Sequence, residues 1–282
     1  MDPKKTDSLA AAAAAAALPV VKTTALPSNG QLLAEETEEV VKASLAAMRA
    51  DLSQSPAWGG APTPTDDFLL MFLRSEVFSP KRAANRYRKF WKVKVSLCGE
   101  DKAALPIKVE DAAEGLNLEF VQMVPGSKDI EGRQVVLVNT GNSDKSLDRK
   151  LRVRAVWYVL LAALEDVETQ RRGFCFVVTL KTARITQVDQ KRSTGGVLGS
   201  PRGAPVEWAP KTWLPPSSSA LGGVIHFLTE RVRQRFRFLP GTDSDVTEAL
   251  SAIVEPEHLP PPMGVKKLNF SGWLEERVRA ES

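Results

Sequence analysis

Two cysteines and two histidines in 282 residues leave little material for several kinds of site. Cys98 and Cys175 stand far apart, with no CxxC spacing, and His226 and His258 are equally isolated. That pattern argues against a disulfide framework and against a zinc site, and favours a reducing compartment. No apolar run reaches the ~18 residues that a spanning helix needs. A phosphate-cradling loop is lacking as well. Gly195-Gly196-Val197-Leu198-Gly199 has no lysine in place and follows no strand-to-helix pattern, so it reads as a loop. There is no GxSxG elbow. The carboxylate pairs Asp66–Asp67 and Glu165–Asp166 sit at expected helix ends, where capping explains them without acid–base chemistry. No enzyme activity, metal or cofactor is expected.

The net charge is only +4, with 43% hydrophobic and 26% charged residues. This is ordinary globular composition. It lacks the dense basic stripe with interleaved aromatics that would point to nucleic acid, but it suits an anionic membrane if the charge lies on one face. The opening holds Lys4, Lys5, Leu9 and eight alanines. Asp2 and Asp7 spoil its likeness to a secretory signal, so residues 1–32 are expected to be a disordered low-complexity tail.

Helical periodicity begins at Leu33 and runs to Leu52 through Val40, Val41, Leu45 and Met48. Ser53 to Thr65 reads as a linker. Thr65 or Asp66 can cap a helix with Phe68, Leu69, Phe72 and Leu73 inward, and Ser79-Pro80 opens another with Ala83, Ala84, Tyr87, Phe90 and Trp91 inward. The period then changes. Leu118–Val124 and Gln134–Asn139 read as strands joined across a Pro125-Gly126 turn region. Asp148–Glu165 is a long helix, apolar almost all round from Val153 to Leu164, and Phe174–Leu180 is a buried strand. Strand, buried helix and strand predict a βαβ unit in an α/β sheet. Residues 189–222, rich in proline, glycine and serine, break the pattern. Beyond them come a short strand at Val224–Phe227, helices at Thr229–Phe238 and Val246–Val254, and a last turn at Leu274–Arg279. Arg231 and Arg235 share one face of the Thr229–Phe238 helix. They are either a solvated face or a lipid-headgroup contact.

Several blocks resemble the CRAL-TRIO lipid-binding family, in family order over roughly residues 33–265. They are Asp66 to Arg74 (DDFLLMFLR) with Phe78 and the helix through Trp91; Asp129 to Leu137 (DIEGRQVVL); Glu165 to Gly173 (EDVETQRRG); Phe227 to Arg231 (FLTER); and Glu257-His258-Leu259-Pro260 with Gly264. The tocopherol-transfer-like branch is the most similar. The resemblance implies an α/β fold: an N-terminal helical lobe at 33–98, then a lipid-binding lobe at 105–265 with a mixed sheet flanked by helices, and a C-terminal extension at 266–282. It implies a monomeric, cytoplasmic, transiently membrane-associated carrier of a small hydrophobic lipid, tocopherol-, retinoid- or phospholipid-like. Val156, Val159, Leu160, Leu164, Phe174, Phe176 and Val178 are the candidate pocket lining, and each is otherwise plain core. Arg235, and less closely Arg231, match positions of a phosphoinositide-contacting helix. Two departures count. Glu76 stands where the family carries a basic residue, and residues 189–222 replace the family's gate. A transport-deficient module acting in protein interaction or membrane targeting is therefore the alternative.

Overall fold

The computed structural model describes residues 18–27, 30–143, 146–179, 208–210, 239, 242–261, 263–266 and 268–282. They fall into two compact units, one ending at Leu105 and the other beginning at Pro106.

The first unit opens with a ribbon, β1 (Thr23–Ala25) antiparallel to β2 (Leu32–Ala34). The expected tail therefore ends short of residue 32, and Leu33 is a strand residue rather than the start of a helix. Helix α1 (Glu38–Gln54) begins only at Thr37, whose hydroxyl accepts from the Val40 amide. Its inward positions are Val40, Ser44 and Met48, spaced four apart. Helix α2 (Asp66–Ser75) is capped by Thr65, and α3 (Pro80–Cys98) follows Ser79 with proline in its first turn. Both start where the sequence predicts.

These helices close around aromatic rings. Phe68, Phe72, Tyr87, Phe90 and Trp91 meet edge to face, with centroids 5.3 Å apart for Phe72 and Tyr87 and 5.4 Å for Phe90 and Trp91. Lys94 is buried beside them. Its ammonium lies 5.0 Å from the Trp91 ring and donates to the Leu105 carbonyl at 2.8 Å, and burial pushes its pKa down. The α2–α3 turn is strained. Val77 (φ 54°) and Phe78 (φ 52°) are both left-handed, a conformation that costs a β-branched side chain most. The buried Phe78 ring and the Phe78 amide bond to the Leu73 carbonyl offset that cost. Helix α4 (Glu100–Ala103) is a single turn after Gly99.

The second unit is mixed α/β. Helix α5 (Val109–Leu116) precedes β3 (Val121–Lys128), β4 (Gln134–Asn139), α6 (Arg149–Ala163), α7 (Val167–Arg172), β5 (Phe174–Thr179) and β6 (Trp208–Pro210). The sheet order is β3-β4-β5-β6. β3 runs antiparallel to β4, and β4, β5 and β6 run parallel to one another. The α6–α7 crossover thus completes the predicted βαβ unit.

The boundaries differ in informative ways. β3 continues through Pro125-Gly126 as a bulge between Met123 and Lys128, so the expected turn is part of the strand. The block from Glu165 to Gly173 holds a separate helix, α7. Asp166 caps it by accepting from the Glu168 and Thr169 amides. Trp208–Pro210 form a strand inside the stretch read as patternless. The chain ends with α8 (Asp243–Ser251) and α9 (Phe270–Glu281), the latter twice the length of the expected last turn.

Candidate functional site

The expected pocket lining comes from α6 and β5. Asp148 caps α6 through the Lys150 amide, and the helix is buried on almost every side from Ala155 onward. Val156, Val159 and Leu160 lie at helical spacing on one face, and Leu164 closes the helix. On β5, alternation puts Phe174, Phe176 and Val178 on one side of the sheet, the first two with ring centroids 5.8 Å apart. All seven side chains are buried.

The neighbouring β4 contributes Val136 and Val138 in register, opposite Phe176 and Val178. The sheet therefore has a continuous apolar strip of Val136, Val138, Phe174, Phe176 and Val178. The alternate residues Val135, Leu137, Cys175 and Val177 face the other way. They pack with Val246, Leu250, Ile253, Val254, Leu259 and Met263 into a second apolar layer that the resemblance did not locate. Its signal in the sequence was faint, because four of its ten residues, Ile253, Val254, Leu259 and Met263, come from a proline-bearing segment after α8. Gly264 is needed in that segment. A Cβ there would stand 2.3 Å from the Pro256 carbonyl oxygen and 2.5 Å from that of Leu259.

Two polar features flank the apolar residues. Arg152 sits one helical turn before Val156 on the same face and is buried at 5% exposure. A cation in the opening turns of a helix carries no sequence signal of burial. At the end of the sheet where β3 passes to β4, Asp129 and Arg133 form a fully buried pair. Arg133 Nε donates to Asp129 Oδ2 at 2.7 Å, and Arg133 Nη2 also lies 2.8 Å from Glu131 Oε2. Asp129 Oδ1 accepts from the Glu131 and Arg133 amides, which fixes the turn.

Helix α9 is tied to this unit by charge. Arg277 grips the Glu165 carboxylate with both terminal nitrogens and donates through Nε to the Tyr158 hydroxyl. Pairing with Glu165 raises the Arg277 pKa. Burial, together with the nearby Glu281 carboxylate, raises that of Tyr158. Lys128 pairs with Asp166, and hydrogen bonds from Lys128 and Thr169 hold that carboxyl below its usual range against the opposing effect of burial.

Arg231 and Arg235 lie outside the described residues, as do the expected strand Val224–Phe227, the expected helix Thr229–Phe238 and most of 189–222. The departure at Glu76 is visible. Glu76 is buried and held by Arg82 at 2.6 Å and Arg86 at 2.5 Å, so it anchors the strained α2–α3 turn. Among the described residues no group of three or more histidine, cysteine, aspartate or glutamate side chains is placed to hold a metal ion. Among them, too, no helix is long and apolar enough to cross a membrane. No protein-family model matches the chain, and no curated protein matches it.

Proposed function

We propose that this protein is a non-enzymatic carrier of the CRAL-TRIO kind, which binds a small hydrophobic lipid in its second unit and passes it between cytoplasmic membrane surfaces. The observation that carries the reading is the β4–α6–β5 unit, with its apolar strip from Val136 to Phe176 and the buried residues of α6 on adjoining elements. Sheltering a lipid tail from water there is worth roughly 25 cal/mol per Å² of apolar surface. A buried cation beside such a surface suits the polar end of a tocopherol-, retinoid- or phospholipid-like ligand, and Arg152 is the residue in that position. Transfer needs no bond chemistry, only opening at a membrane. Arg231 and Arg235 are proposed as phosphoinositide contacts.

The proline-rich stretch in place of a gate favours a second reading, a module for protein interaction or membrane targeting that no longer transports. Native mass spectrometry of protein purified from cells separates the two. A stoichiometric co-purified lipid is expected of the carrier, and protein free of lipid overturns it.

A further inference from the structure

Helix α3 carries seven basic residues and no acidic one: Lys81, Arg82, Arg86, Arg88, Lys89, Lys92 and Lys94. Lys94 is buried, so six remain toward the surface. Among the described residues, two carboxylates from neighbouring elements pair with them. Glu76 takes Arg82 and Arg86, and Asp51 takes Arg88. Lys81, Lys89 and Lys92 are exposed, and among the described residues none has a carboxylate partner. Six cations against these two carboxylates leave the face with an excess of positive charge.

At 100° per residue, Lys81, Lys92 and Lys89 fall within about 80° of one another, with the exposed Asn85 and Ser96 between them. The stripe from Lys81 to Lys92 runs about 16 Å along the helix. The next acids in sequence, Glu100 and Asp101, come after Gly99 on the following turn.

We infer that the exposed α3 face of Lys81, Lys89 and Lys92 is a docking surface for an anionic membrane. Three features select this occupant. The unpaired cations are lysines, point charges without the planar fork that reads phosphates two oxygens at a time. The aromatic residues of α3, Tyr87, Phe90 and Trp91, are all buried, so no ring is free to stack on a base. The face presents no large apolar side chain, which fits adsorption at the headgroup level and not insertion. The inference extends the carrier reading by adding a bilayer-facing surface on the first unit to the proposed Arg231 and Arg235 contacts, and it is separately testable.

The full-length protein is compared with a Lys81→Gln/Lys89→Gln/Lys92→Gln variant and with the corresponding triple arginine variant. Co-sedimentation is measured with phosphatidylcholine vesicles, with and without phosphatidylserine. Wild type is expected to adsorb only to the anionic vesicles, and less as salt rises. The glutamine variant should lose about 100-fold in partitioning, since each of the three lysines near such a surface contributes roughly a fivefold step. The arginine variant should retain it. Equal adsorption of wild type and the glutamine variant, or no adsorption by wild type, overturns the inference. So does tighter binding of wild type to duplex DNA than to the vesicles at equal salt, if the glutamine variant loses it. Lipid content by native mass spectrometry is read on the same samples. A lipid-free wild type that still adsorbs through α3 removes the carrier reading and leaves the docking surface standing.

Discussion

The Tyr158 hydroxyl donates to Glu281 Oε1 at 2.6 Å, joining the middle of α6 to the last turn of α9 across 123 positions of sequence. The same carboxylate accepts the Val109 amide at 2.8 Å through its other oxygen, so it caps the start of α5 as well. One acidic side chain thus holds three helices. It occupies a place where the partial positive charge of a helix N-terminus favours an anion.

Tyr158→Phe removes the hydroxyl and leaves Glu281 and Arg277 without their shared partner. The phenyl ring keeps its contact with Trp273, whose centroid is 6.1 Å away. The expected loss is about 1–3 kcal/mol, the worth of hydrogen bonds to charged groups, since Glu281 keeps the Val109 amide and Arg277 keeps Glu165. Urea unfolding measures the total. Amide exchange should quicken in α9 before α6, and an unchanged α9 would contradict this account.

Gly115→Ala tests the packing of α5 on α6. Alanine is the better helix former by ~1 kcal/mol. Yet a Cβ at this position would stand 2.7 Å from the Leu151 carbonyl oxygen and 2.8 Å from the Ala155 methyl. Neither can swing away, because one is backbone and the other has no further torsion. The clash therefore wins, with a net destabilisation of about 1–3 kcal/mol visible as a lower thermal midpoint.

These contacts show why parts of the fold were readable in the sequence and others were not. Helices α2, α3 and α6 carry strong signals: a capping residue, apolar positions at three and four, and more than two turns. Strands β4 and β5 carry unbroken apolar runs, Val135–Val138 and Phe174–Val178, mostly β-branched or aromatic. Helix α5 is two turns long with Gly115 inside it, and the glycine that makes it pack also hides its period. Pro125-Gly126 reads locally as a turn, and only pairing with β4 keeps it within a strand. The β1–β2 ribbon has strands of only three residues, TTA and LLA, whose pairing is settled by contact rather than propensity. The seven candidate positions were legible as buried. Arg152 was not, because a cation at the head of a helix looks solvated until the tertiary structure covers it.

Arg133→Met should be among the costliest single changes in the second unit. Arg133 and Asp129 have side-chain exposures of 1% and 0%, and Glu131 has 7%. Removing the guanidinium leaves the fully buried Asp129 carboxylate without its ion-pair partner. The expected loss is about 3–5 kcal/mol. A double change to Arg133→Met and Asp129→Asn should recover part of it, as measured by denaturant midpoints of the four proteins in the cycle.

The α7 cap makes stability sensitive to acid. Asp166 is held below its usual range by Lys128 and Thr169 despite burial, and Glu168 by Arg172 with Arg171 beside it. Carboxylates depressed on folding contribute stability above their unfolded values, and that contribution fades as pH falls through the folded ones. The unfolding midpoint should therefore decline from about pH 5 downward. Asp166→Asn keeps an oxygen to cap α7 but cannot titrate. Its midpoint should start lower at neutral pH and fall less steeply in acid. An identical acid profile in wild type and variant would rule out Asp166 as a source of the effect.

A last comparison distinguishes lining from core at the seven buried positions. In a solid core, Val178→Phe adds volume that the neighbours cannot accept, and the expected cost is about 1–3 kcal/mol. Beside a ligand-sized hollow, the same ring fills space that a lipid would otherwise take. The carrier reading therefore predicts a thermal midpoint near that of wild type, together with a marked fall in co-purified lipid by native mass spectrometry. Val177→Phe is the matched control, because Val177 faces the α8 layer among Val135, Leu250 and Ile253. It should destabilise the protein by the full overpacking cost. Equal destabilisation at both positions, with no change in lipid content, would place Val178 in ordinary core and remove the hollow from this side of the sheet.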